Sequence, residues 1–542
     1  MKRCPKCQRI FTDETLKFCR DDGTLLVSEA TSADDATAIL NDSVPGSGSL
    51  DPTKLFRPSI PAAETISLPS RIARPQRQRP SRKAIDSIAV LPLVNNSTDP
   101  NMEYLSDGIT ESIINALSQL PKLRVVARST VFRYKGHEVN PREVGQQLGV
   151  RAVLTGRVRQ IGDKMEIGAE LIDVTNDAHL WGEHYRRKPS DIFELQEEIA
   201  KEILENLRLK LRGGEKKRLT KRHTDNTAAY HLYLKALFYW NKRTPDGLEA
   251  AIGYFQEALT IDPSYALAYA GLAHCYTLLT SISGTPSMEA YPKAKAAAMK
   301  ALLIDEALAE AYVPLAYLKF INDWDYAGAE TEYQRAIELN PNYATARHYY
   351  SIFLVYMARF DEALDQYKIA LQLDPLSLPI SSSLAWALYS ARRYDEAIEQ
   401  CKLTLRVDPN FARTHLYLGE IYVQKGIYDE AIAEFYMAEE LSGELWARVE
   451  LAYAFAVSDR REEVEKILNE LRGRPERGNL SHYQMAIIHA GLGEKERAFE
   501  WLEKAYEQRN HGLVELKVEP MLDSLRLDPR FTDLLHRIGL VS

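Results

Sequence analysis

The sequence predicts a multidomain chain in which an α/β domain with a mixed sheet precedes an all-α solenoid, with a small cysteine-bearing segment in front. Three observations predict this class. Strand-length apolar runs alternate with helical patterns over 86–212, a helical pattern recurs every 34 residues from 227 onward, and three of the five cysteines lie within the first nineteen residues. The length of 542 residues also exceeds that of a single domain several times.

The composition of the chain argues against some classes of protein. The chain has 68 lysines and arginines against 76 aspartates and glutamates, a formal net charge of −8, and 45% hydrophobic residues. These values are typical of an ordinary soluble protein, and the negative balance argues against a surface that coats nucleic acid. No segment has the apolar core of a secretory signal or the roughly 20 apolar residues of a membrane span, so we expect a cytoplasmic location and no membrane span.

Shifts in composition divide the chain into five parts. Residues 1–25 carry the clustered cysteines, and 26–85 form a linker rich in serine, proline and arginine that has few residues able to build a core. The α/β domain follows at 86–212. The repeat array covers 227–510, and residues 511–542 break its period and are expected to cap the last apolar face.

The α/β domain contains five strand-length segments and three helical patterns. Gly162 and Asp163 separate two partly alternating runs, which is typical of a β-hairpin. The first helix is expected to begin near Ser106 or Asp107, which would leave Glu111 as a solvated acid in its first turn. The order of these elements predicts a mixed sheet with helices packed on it. The predicted strands lie at 87–94, 123–127, 151–158, 165–173 and 179–185.

Similar six-residue segments recur through the second half of the chain. The spacings between their last residues are 43, 35, 34 and 34, so the period is 34. About nine extra residues around 281–286 and one near 322–324 account for the two longer spacings, and both insertions are expected to lengthen loops. The segments end at Pro263, Glu306, Pro341, Pro375 and Pro409.

One repeat carries the pattern of a known family at Leu418, Gly419, Tyr422, Ala431, Phe435 and Ala438. The array resembles tetratricopeptide repeats, in which small residues let two antiparallel helices approach and aromatic residues fill the gaps. The resemblance implies about eight helical hairpins and a concave groove, lined by the first helix of each hairpin, that binds protein or peptide ligands. With the register set by Gly419, the residues expected in this groove are His348, Trp386, Tyr389, Arg413 and Glu420.

Short segments of the α/β domain match a second family, at residues 87–92, 107–111, 128–130, 148–150, 156 and 179–181. They resemble the TolB-like domain that precedes tetratricopeptide repeats in bacterial signalling proteins. In such relatives a kinase, a nucleotide cyclase or a winged-helix DNA-binding domain usually stands in front, and the TolB-like domain itself is non-catalytic. Here the cysteine-bearing segment stands in that place.

The first 25 residues resemble a zinc ribbon. Cys4 and Cys7 form a Cys-x-x-Cys knuckle, and Cys19 and Asp22 occupy the positions of a second knuckle. Thiolates are strong zinc ligands and a carboxylate oxygen is an acceptable fourth ligand, so a structural zinc held by three cysteines and Asp22 is predicted. The alternative is a degenerate segment that has lost its metal.

The sequence favours a binding protein over an enzyme. It contains no P-loop, no Gly-x-Ser-x-Gly elbow, no His-Glu-x-x-His pair and no kinase motif, so no catalytic residue is predicted. The first hypothesis is a non-enzymatic adaptor that gathers signalling partners in the repeat groove. An enzyme hidden in the 86–212 domain is the weakest alternative.

The second hypothesis is a transcription regulator that contacts DNA through the cysteine-bearing segment and a basic run in the linker. Six basic residues interleaved with proline and glutamine could bind phosphates by counterion release. The competing interpretation is a solvated linker kept extended by its own charge repulsion, so nucleic acid is the less expected partner. The run consists of Arg71, Arg74, Arg77, Arg79, Arg82 and Lys83.

Overall fold

A computed structural model describes most of the chain after the linker and short pieces of the part before it. The described residues are 2–3, 10–11, 27–28, 85–97, 102–162, 164–207, 209, 221–443, 445–472 and 480–541. The chain divides into two compact units, Met1–Pro80 and Ser81–Ser542. In the first unit three short antiparallel strands form a sheet in the order β2-β1-β3, namely β1 (Lys2–Arg3), β2 (Ile10–Phe11) and β3 (Val27–Ser28).

The second unit begins with a six-stranded mixed sheet, which confirms the predicted class. Strand β4 lies parallel to β6 on one side and to β7 on the other, and β5 also pairs with β7 in parallel. Strands β7, β8 and β9 form an antiparallel meander at the other end. The strands are β4 (Ser87–Val90), β5 (Val94–Asn95), β6 (Arg124–Val125), β7 (Ala152–Ile161), β8 (Lys164–Asp173) and β9 (Ala178–Arg187).

Burial follows the pattern of each strand. All four residues of β4 are buried, as expected for a central parallel strand that is covered on both faces. In β8 every second residue is buried, so only one face of this strand contacts the core. Gly162 adopts a φ of 61° in the two-residue turn between β7 and β8, which agrees with the hairpin predicted there.

Helices α1, α3 and α4 pack on the sheet. Helix α1 turns Ile109, Ile113 and Leu117 toward it, a spacing of four residues that places them on one face. The long amphipathic α4 buries one stripe in the same way. The helices are α1 (Glu103–Ser118), α2 (Arg128–Val131), α3 (Pro141–Gln147) and α4 (Ile192–Leu207), with single 3-10 turns at Phe132–Tyr134 and Pro189–Asp191.

The expected start of α1 was wrong. The helix begins at Glu103, so Ser106 and Asp107 lie inside it rather than at its cap. Asp107 is buried, and both of its carboxylate oxygens accept hydrogen bonds from Lys135 at 2.6 and 2.7 Å. Glu111 is not a solvated acid either, because its Oε2 lies 2.9 Å from Nε of Arg128. Each acid is paired with a basic residue distant in sequence, Lys135 for Asp107 and Arg128 for Glu111. Helix propensity does not reveal such pairs.

The described part of the array forms eight helical hairpins, numbered here along the chain, and the tetratricopeptide character of the array is confirmed. Hairpins 1 to 4 pair Thr227–Trp240 with Pro245–Ile261, Ala266–Ile282 with Ser287–Ile304, Ala309–Leu318 with Tyr326–Leu339, and Ala344–Tyr356 with Phe360–Leu373. Hairpins 5 to 8 pair Leu378–Ser390 with Tyr394–Val407, Ala412–Gln424 with Tyr428–Ser442, Leu445–Val457 with Arg461–Arg472, and His482–Gly491 with Lys495–Glu507.

Packing within a hairpin depends on small residues where the two helices meet. In hairpin 6 a Cβ atom added to Gly419 would lie 2.5 Å from the ring of Phe435, closer than non-bonded atoms approach. Ala397 of hairpin 5 and Ala431, the equivalent residue of hairpin 6, are fully buried on the second helices. These positions tolerate only small side chains because the partner helix already fills the space.

The two insertions were expected in loops, and that expectation was wrong. The helices of hairpin 2 are 17 and 18 residues long, against 13 and 14 in hairpin 4, so eight of the extra residues extend helices and the turn is longer by one. The single extra residue is absorbed by a π-helical turn at Lys319–Asp323, which ends at Trp324 with a φ of 57°. A one-residue insertion in a helix widens one turn in this way, because the flanking hydrogen bonds can be kept.

The chain ends with two 3-10 turns, His511–Glu515 and Pro520–Leu525, and a last helix, Pro529–Arg537. The last helix is tied to hairpin 8 by two bidentate ion pairs, Arg530 with Glu496 and Arg537 with Glu503. The end of the chain also reaches back to hairpin 3, where Oη of Tyr326 donates to the carbonyl of Ile538 at 2.9 Å. The C-terminal residues therefore contact both hairpin 3 and hairpin 8.

Candidate functional site: the inner face of the array

The first helices of successive hairpins contact one another along the array, and the second helices of hairpins 1 to 6 each pack against their own first helix and the next one. The first helices therefore line the inner side of the curve, called the inner face below. Trp386 and Tyr389 lie on the first helix of hairpin 5, and Glu420 on that of hairpin 6. His348 and Arg413 lie on the first helices of hairpins 4 and 6.

Residues 511–526 of the same chain lie against the inner face of hairpins 4 to 8, and we call them the docked segment. Tyrosines of three different hairpins donate hydrogen bonds to it. Oη of Tyr356 lies 3.2 Å from Oε1 of Glu515, Oη of Tyr389 lies 2.9 Å from Oε1 of Glu519, and Oη of Tyr453 lies 3.2 Å from the carbonyl of Met521. The apolar residues of the docked segment are buried, namely Leu513, Val514, Leu516, Val518, Met521, Leu522 and Leu525.

Arg392 forms hydrogen bonds with the middle of the docked segment. It stands in the turn of hairpin 5 with a φ of 61°, and its two terminal nitrogens donate to the carbonyl of Val518 at 2.5 Å and to Oδ1 of Asp523 at 2.6 Å. Arg526 holds the segment's own conformation by donating to the carbonyls of Lys517 and Glu519. The segment is thus bound as a peptide would be, through its main-chain carbonyls, its acids and its apolar side chains.

Four glutamates come together where the docked segment meets the array. Glu420 and Glu450 belong to the array, Glu515 and Glu519 belong to the segment, and Oε2 of Glu450 has no hydrogen-bond partner among the described residues. Burial, followed by the charge of Glu519, raises the pKa of Glu515 to about 8. Burial also raises the pKa values of the other three carboxyl groups, and the charges of neighbouring glutamates add to the rise for Glu420 and Glu450. Protonated acids therefore favour docking, because ionised ones would repel one another.

The structure brings three of the five predicted groove residues to the docked segment. Tyr389 donates to it, Glu420 belongs to the acid cluster, and the ring of Trp386 lies 5.0 Å from that of Tyr356, which contacts Glu515. Arg413 is exposed, and its charge lowers the pKa of Glu420 and of Glu515 against the larger effect of burial. Whether these residues bind another protein stays a prediction.

His348 is placed differently. Its ring lies between those of Tyr349 and Tyr367, at 5.7 and 6.1 Å, and its Nε2 is buried without a hydrogen-bond partner among the described residues. Burial lowers the pKa of His348 to about 4, so the imidazole is neutral at physiological pH.

Sequence reasoning did not identify Tyr356, Arg392, Glu515 and Glu519 as parts of this site. The apolar residues between 513 and 525 do carry a signal, since a segment outside the repeat that is this apolar must be buried somewhere. The pattern does not say where, because the repeat register defines contacts between neighbouring hairpins only.

The α/β domain occupies the other end of the array. Nδ2 of Asn342 donates to the carbonyls of Ser118, Leu120 and Leu123 at 2.9 to 3.1 Å. Asp374, at the end of hairpin 4, accepts hydrogen bonds from the hydroxyls of Ser129 and Thr130. Asn342, the donor, lies in the Asn-Pro turn after hairpin 3, and Asp374, the acceptor, lies in the Asp-Pro turn after hairpin 4. The α/β domain is therefore joined to the array at the turns that end these two hairpins.

The predicted zinc ligands Cys4, Cys7, Cys19 and Asp22 lie outside the described residues. Within the described ranges no group of three or more His, Cys, Asp or Glu side chains is arranged to hold a metal ion. Cys275 and Cys401 are buried in hairpins 2 and 5, where they pack as small apolar residues. In the same part of the chain no helix combines the length and apolarity that crossing a membrane requires.

Two family profiles match parts of the chain. Residues 83–202 match the second domain of HilA/YgeH-like transcriptional regulators, and residues 354–410 and 404–444 match the tetratricopeptide repeat. The first match covers the α/β domain that was predicted from its resemblance to TolB-like domains. That finer resemblance stays a prediction.

Two named relatives share part of their length with this chain. The Rhizobium meliloti (strain 1021) protein named "Putative adenylate cyclase 3" is 40% identical over 208 residues, which are 38% of this chain and 34% of that protein. Transcriptional regulator HilA of Salmonella paratyphi A (strain ATCC 9150 / SARB42) is 26% identical over 155 residues, which are 29% of this chain and 28% of that protein. The matches thus span about a third of the relatives' own lengths.

Solved structures similar to the chain include three repeat proteins. Pseudomonas aeruginosa PilF is 21% identical over 39% of this chain and 92% of its own, with a TM-score of 0.31. YrrB, a TPR protein with an unusual peptide-binding site, is 20% identical over 36% and 94%, with a TM-score of 0.25. PilW, a type IV pilus biogenesis factor, is 18% identical over 40% and 97%, with a TM-score of 0.30. Scores this low carry no argument about function.

Proposed function

We propose that this chain is a non-enzymatic scaffold in bacterial signalling that binds protein or peptide partners on the inner face of its array, in competition with its own residues 511–526. The observation that carries the proposal is the docked segment itself. Arg392, Tyr389 and Tyr453 already hold a polypeptide by its carbonyls and an acid. A surface that binds one such segment has the donors and the apolar contacts to bind another.

The same contacts define the partner that would compete. Tyrosine hydroxyls and a guanidinium offer donors, so the partner needs carbonyls and side-chain acceptors that face them. Glu515 and Glu519 are four residues apart and are flanked by leucine and valine. A partner peptide would therefore present two acids or amides at this spacing among apolar residues.

A labelled synthetic peptide of residues 511–526 tests the proposal with the full-length chain. Replacing Leu522 by Ala in the protein removes a fully buried side chain of the docked segment and weakens its docking, so the wild-type peptide should bind this variant at least about tenfold more tightly than the wild-type protein, as measured by fluorescence anisotropy. Asp533→Ala in the last helix is the matched control, and it should leave peptide affinity unchanged. Equal affinity for the wild-type protein and Leu522→Ala would contradict competition.

A second candidate function is transcription regulation, which is favoured by the match of residues 83–202 to a domain of HilA/YgeH-like regulators. It predicts sequence-specific DNA binding at physiological salt. A scaffold with an arginine-rich linker should bind DNA weakly and without sequence preference, and this binding should disappear as the salt concentration rises. Gel-shift titrations of the full chain on random and promoter DNA separate the two functions.

We also propose a structural zinc at Cys4, Cys7, Cys19 and Asp22, on the chemistry of this donor set. Purified protein should contain about one zinc per chain, and Asp22→Cys should bind it more tightly because a fourth thiolate replaces a carboxylate. Elemental analysis and a competition titration with a chelator measure both. Protein that carries no zinc above background would support the degenerate segment instead.

A further inference from the structure

A cavity of about 210 Å³ lies between the α/β domain and the array. Helix α1 and residues 125–129 form one side, and the first helices of hairpins 1 to 3 form most of the other. The volume equals that of roughly seven water molecules in the liquid, which suits a small metabolite and excludes a nucleotide or a folded peptide. Arg243 on its wall is exposed, so the cavity is open to solvent there.

Most charges on the wall are already matched. Nε of Arg128 lies 2.9 Å from Oε2 of Glu111, and Asp374 accepts hydrogen bonds from two hydroxyls of the α/β domain. Burial lowers the pKa of His274 to about 4, so this imidazole is uncharged at physiological pH. Arg243 and Glu310 make no ion pair with another described residue, although, against the larger effect of burial, the charge of Arg243 lowers the pKa of Glu111 and the charge of Lys221 lowers the pKa of Glu310.

Arg243 provides the positive end. It follows the first helix of hairpin 1 with a φ of 54°, and its guanidinium carbon stacks 3.8 Å from the ring centroid of Trp240. Neither a carboxylate nor another acceptor among the described residues pairs with this guanidinium. The indole nitrogen of Trp240 is buried and also lacks an acceptor in the described part of the chain. An indole N–H can only donate, so the two groups together form a site for an anionic oxygen.

Glu310 provides the negative end. It lies on the first helix of hairpin 3, and its carboxylate makes no ion pair or hydrogen bond with another described residue. Burial raises the pKa of Glu310, an effect that a cation beside the carboxylate would reverse. Glu310 also lines an adjoining cavity of about 220 Å³, which shares Asn115 and Leu267 with the first and offers room for an apolar side chain.

We propose that this cavity binds a small zwitterion of the α-amino-acid class, with its carboxylate against Arg243 and the indole N–H of Trp240 and its ammonium against Glu310. A purely anionic ligand would leave the partly buried carboxylate of Glu310 without a cation beside it, which costs free energy, whereas a zwitterion supplies an ammonium group there. The walls belong to both the α/β domain and the array. The zwitterion would therefore stabilise the contact between them.

The test uses purified full-length protein and each standard L-amino acid as the probe. At least one amino acid should raise the melting temperature and give a calorimetric binding signal, because a ligand that binds only the folded state stabilises it. The N-acetyl and the carboxamide derivatives of that amino acid should not bind, since each lacks one of the two charges. Arg243→Gln and Glu310→Gln should each weaken binding by about tenfold to a hundredfold.

Two matched controls separate the site from general effects of charge removal. Arg509 also has a left-handed backbone, with a φ of 49°, and stacks on a tryptophan, Trp324, outside the cavity. Arg509→Gln and the exposed Glu440→Gln should leave binding unchanged. The proposal is overturned if no standard amino acid binds, if a derivative without the ammonium binds equally well, or if both cavity variants bind like the wild type. None of these readouts depends on a protein partner.

Discussion

The two ends of the array are covered in different ways. Near hairpins 1 to 4 the α/β domain supplies the cover, and a single hydrophobic core runs from its sheet into hairpins 1 and 2. At hairpins 6 to 8 residues of the docked segment and the last helix share one core with the array. Both covers bury apolar surface, but they differ in their polar contacts.

At the first end most polar contacts are neutral, such as the three carbonyls that accept hydrogen bonds from Asn342, and one carboxyl group, that of Asp374, has a pKa raised by burial. At the second end four carboxyl groups with raised pKa values meet in one place. Neutral hydrogen bonds do not depend on pH, whereas carboxyl groups that dock protonated do. From this difference we expect the docked segment to be released more readily as pH rises than the α/β domain.

The largest expected effect is on the pH dependence of docking. Because the pKa of Glu515 is about 8 when docked and near 4.5 when solvated, the docked state binds its proton more tightly. Docking is therefore strongest below pH 4.5 and weakens as pH rises toward 8, by at most about 4 to 5 kcal/mol for this group. Hydrogen exchange of 511–526 as a function of pH measures the change.

Glu515→Gln is the variant that sharpens this prediction. A neutral amide keeps an acceptor for Tyr356 and cannot ionise, so exchange in the docked segment should depend less on pH than in the wild type. Amides at the α/β contact, such as those of residues 124–126, provide the internal reference. A docked segment whose protection is the same at pH 5 and pH 8, after correction for intrinsic exchange, would remove the basis of the comparison.

Leu522→Ala should release the docked segment without unfolding the array. Leu522 is fully buried, and truncation of such a leucine costs about 2–5 kcal/mol. Limited proteolysis should cut the variant within 511–526 faster, while the main thermal transition changes less. Leu527→Ala, at a side chain 98% exposed, is the control that should behave like the wild type. Loss of the whole array in Leu522→Ala would mean that the segment is as permanent as the α/β domain.

Asn342→Ala tests the other end. Removing one amide takes a donor from the carbonyls of Ser118, Leu120 and Leu123, although Leu120 keeps its hydrogen bond from the Leu123 N–H, so the free energy of unfolding should fall by about 1–3 kcal/mol. Urea denaturation measures the loss, which should not vary with pH. Asn322→Ala, at an exposed side chain, should have no comparable effect. If the loss followed pH in the same way as docking, the two ends would not differ as described.

The smallest expected effect is that of Tyr389→Phe. It removes one hydrogen bond to Glu519 and keeps the ring, so docking should weaken by about 0.5–1.5 kcal/mol. Tyr436→Phe, at a half-exposed ring, is the matched control. Proteolysis rates within 511–526 should rank Leu522→Ala above Tyr389→Phe and Tyr389→Phe above the control, and the reverse order would place Tyr389 outside the contact.

The sequence by itself determined the classes of structure and the local packing of the repeats. A period of 34 residues with Gly419 facing Phe435 specifies a helical hairpin, because each repeat contacts its neighbours through the same few positions. The order of strands and helices in 86–212 likewise predicted a mixed sheet. These predictions succeed because periodicity reports contacts between residues close in sequence.

Only the tertiary structure decided which groups distant in sequence meet. Tyr356 and Glu515 are 159 residues apart, and Asn342 is 219 residues from Leu123. It also decided that Asp107 is buried against Lys135 and that one extra residue becomes a π-helical turn. Such contacts depend on how the whole array curves and what fills its inner face. The repeat pattern describes contacts between neighbouring hairpins only, so it does not identify the segment that fills the inner face. Many apolar segments of suitable length would be compatible with the same repeats.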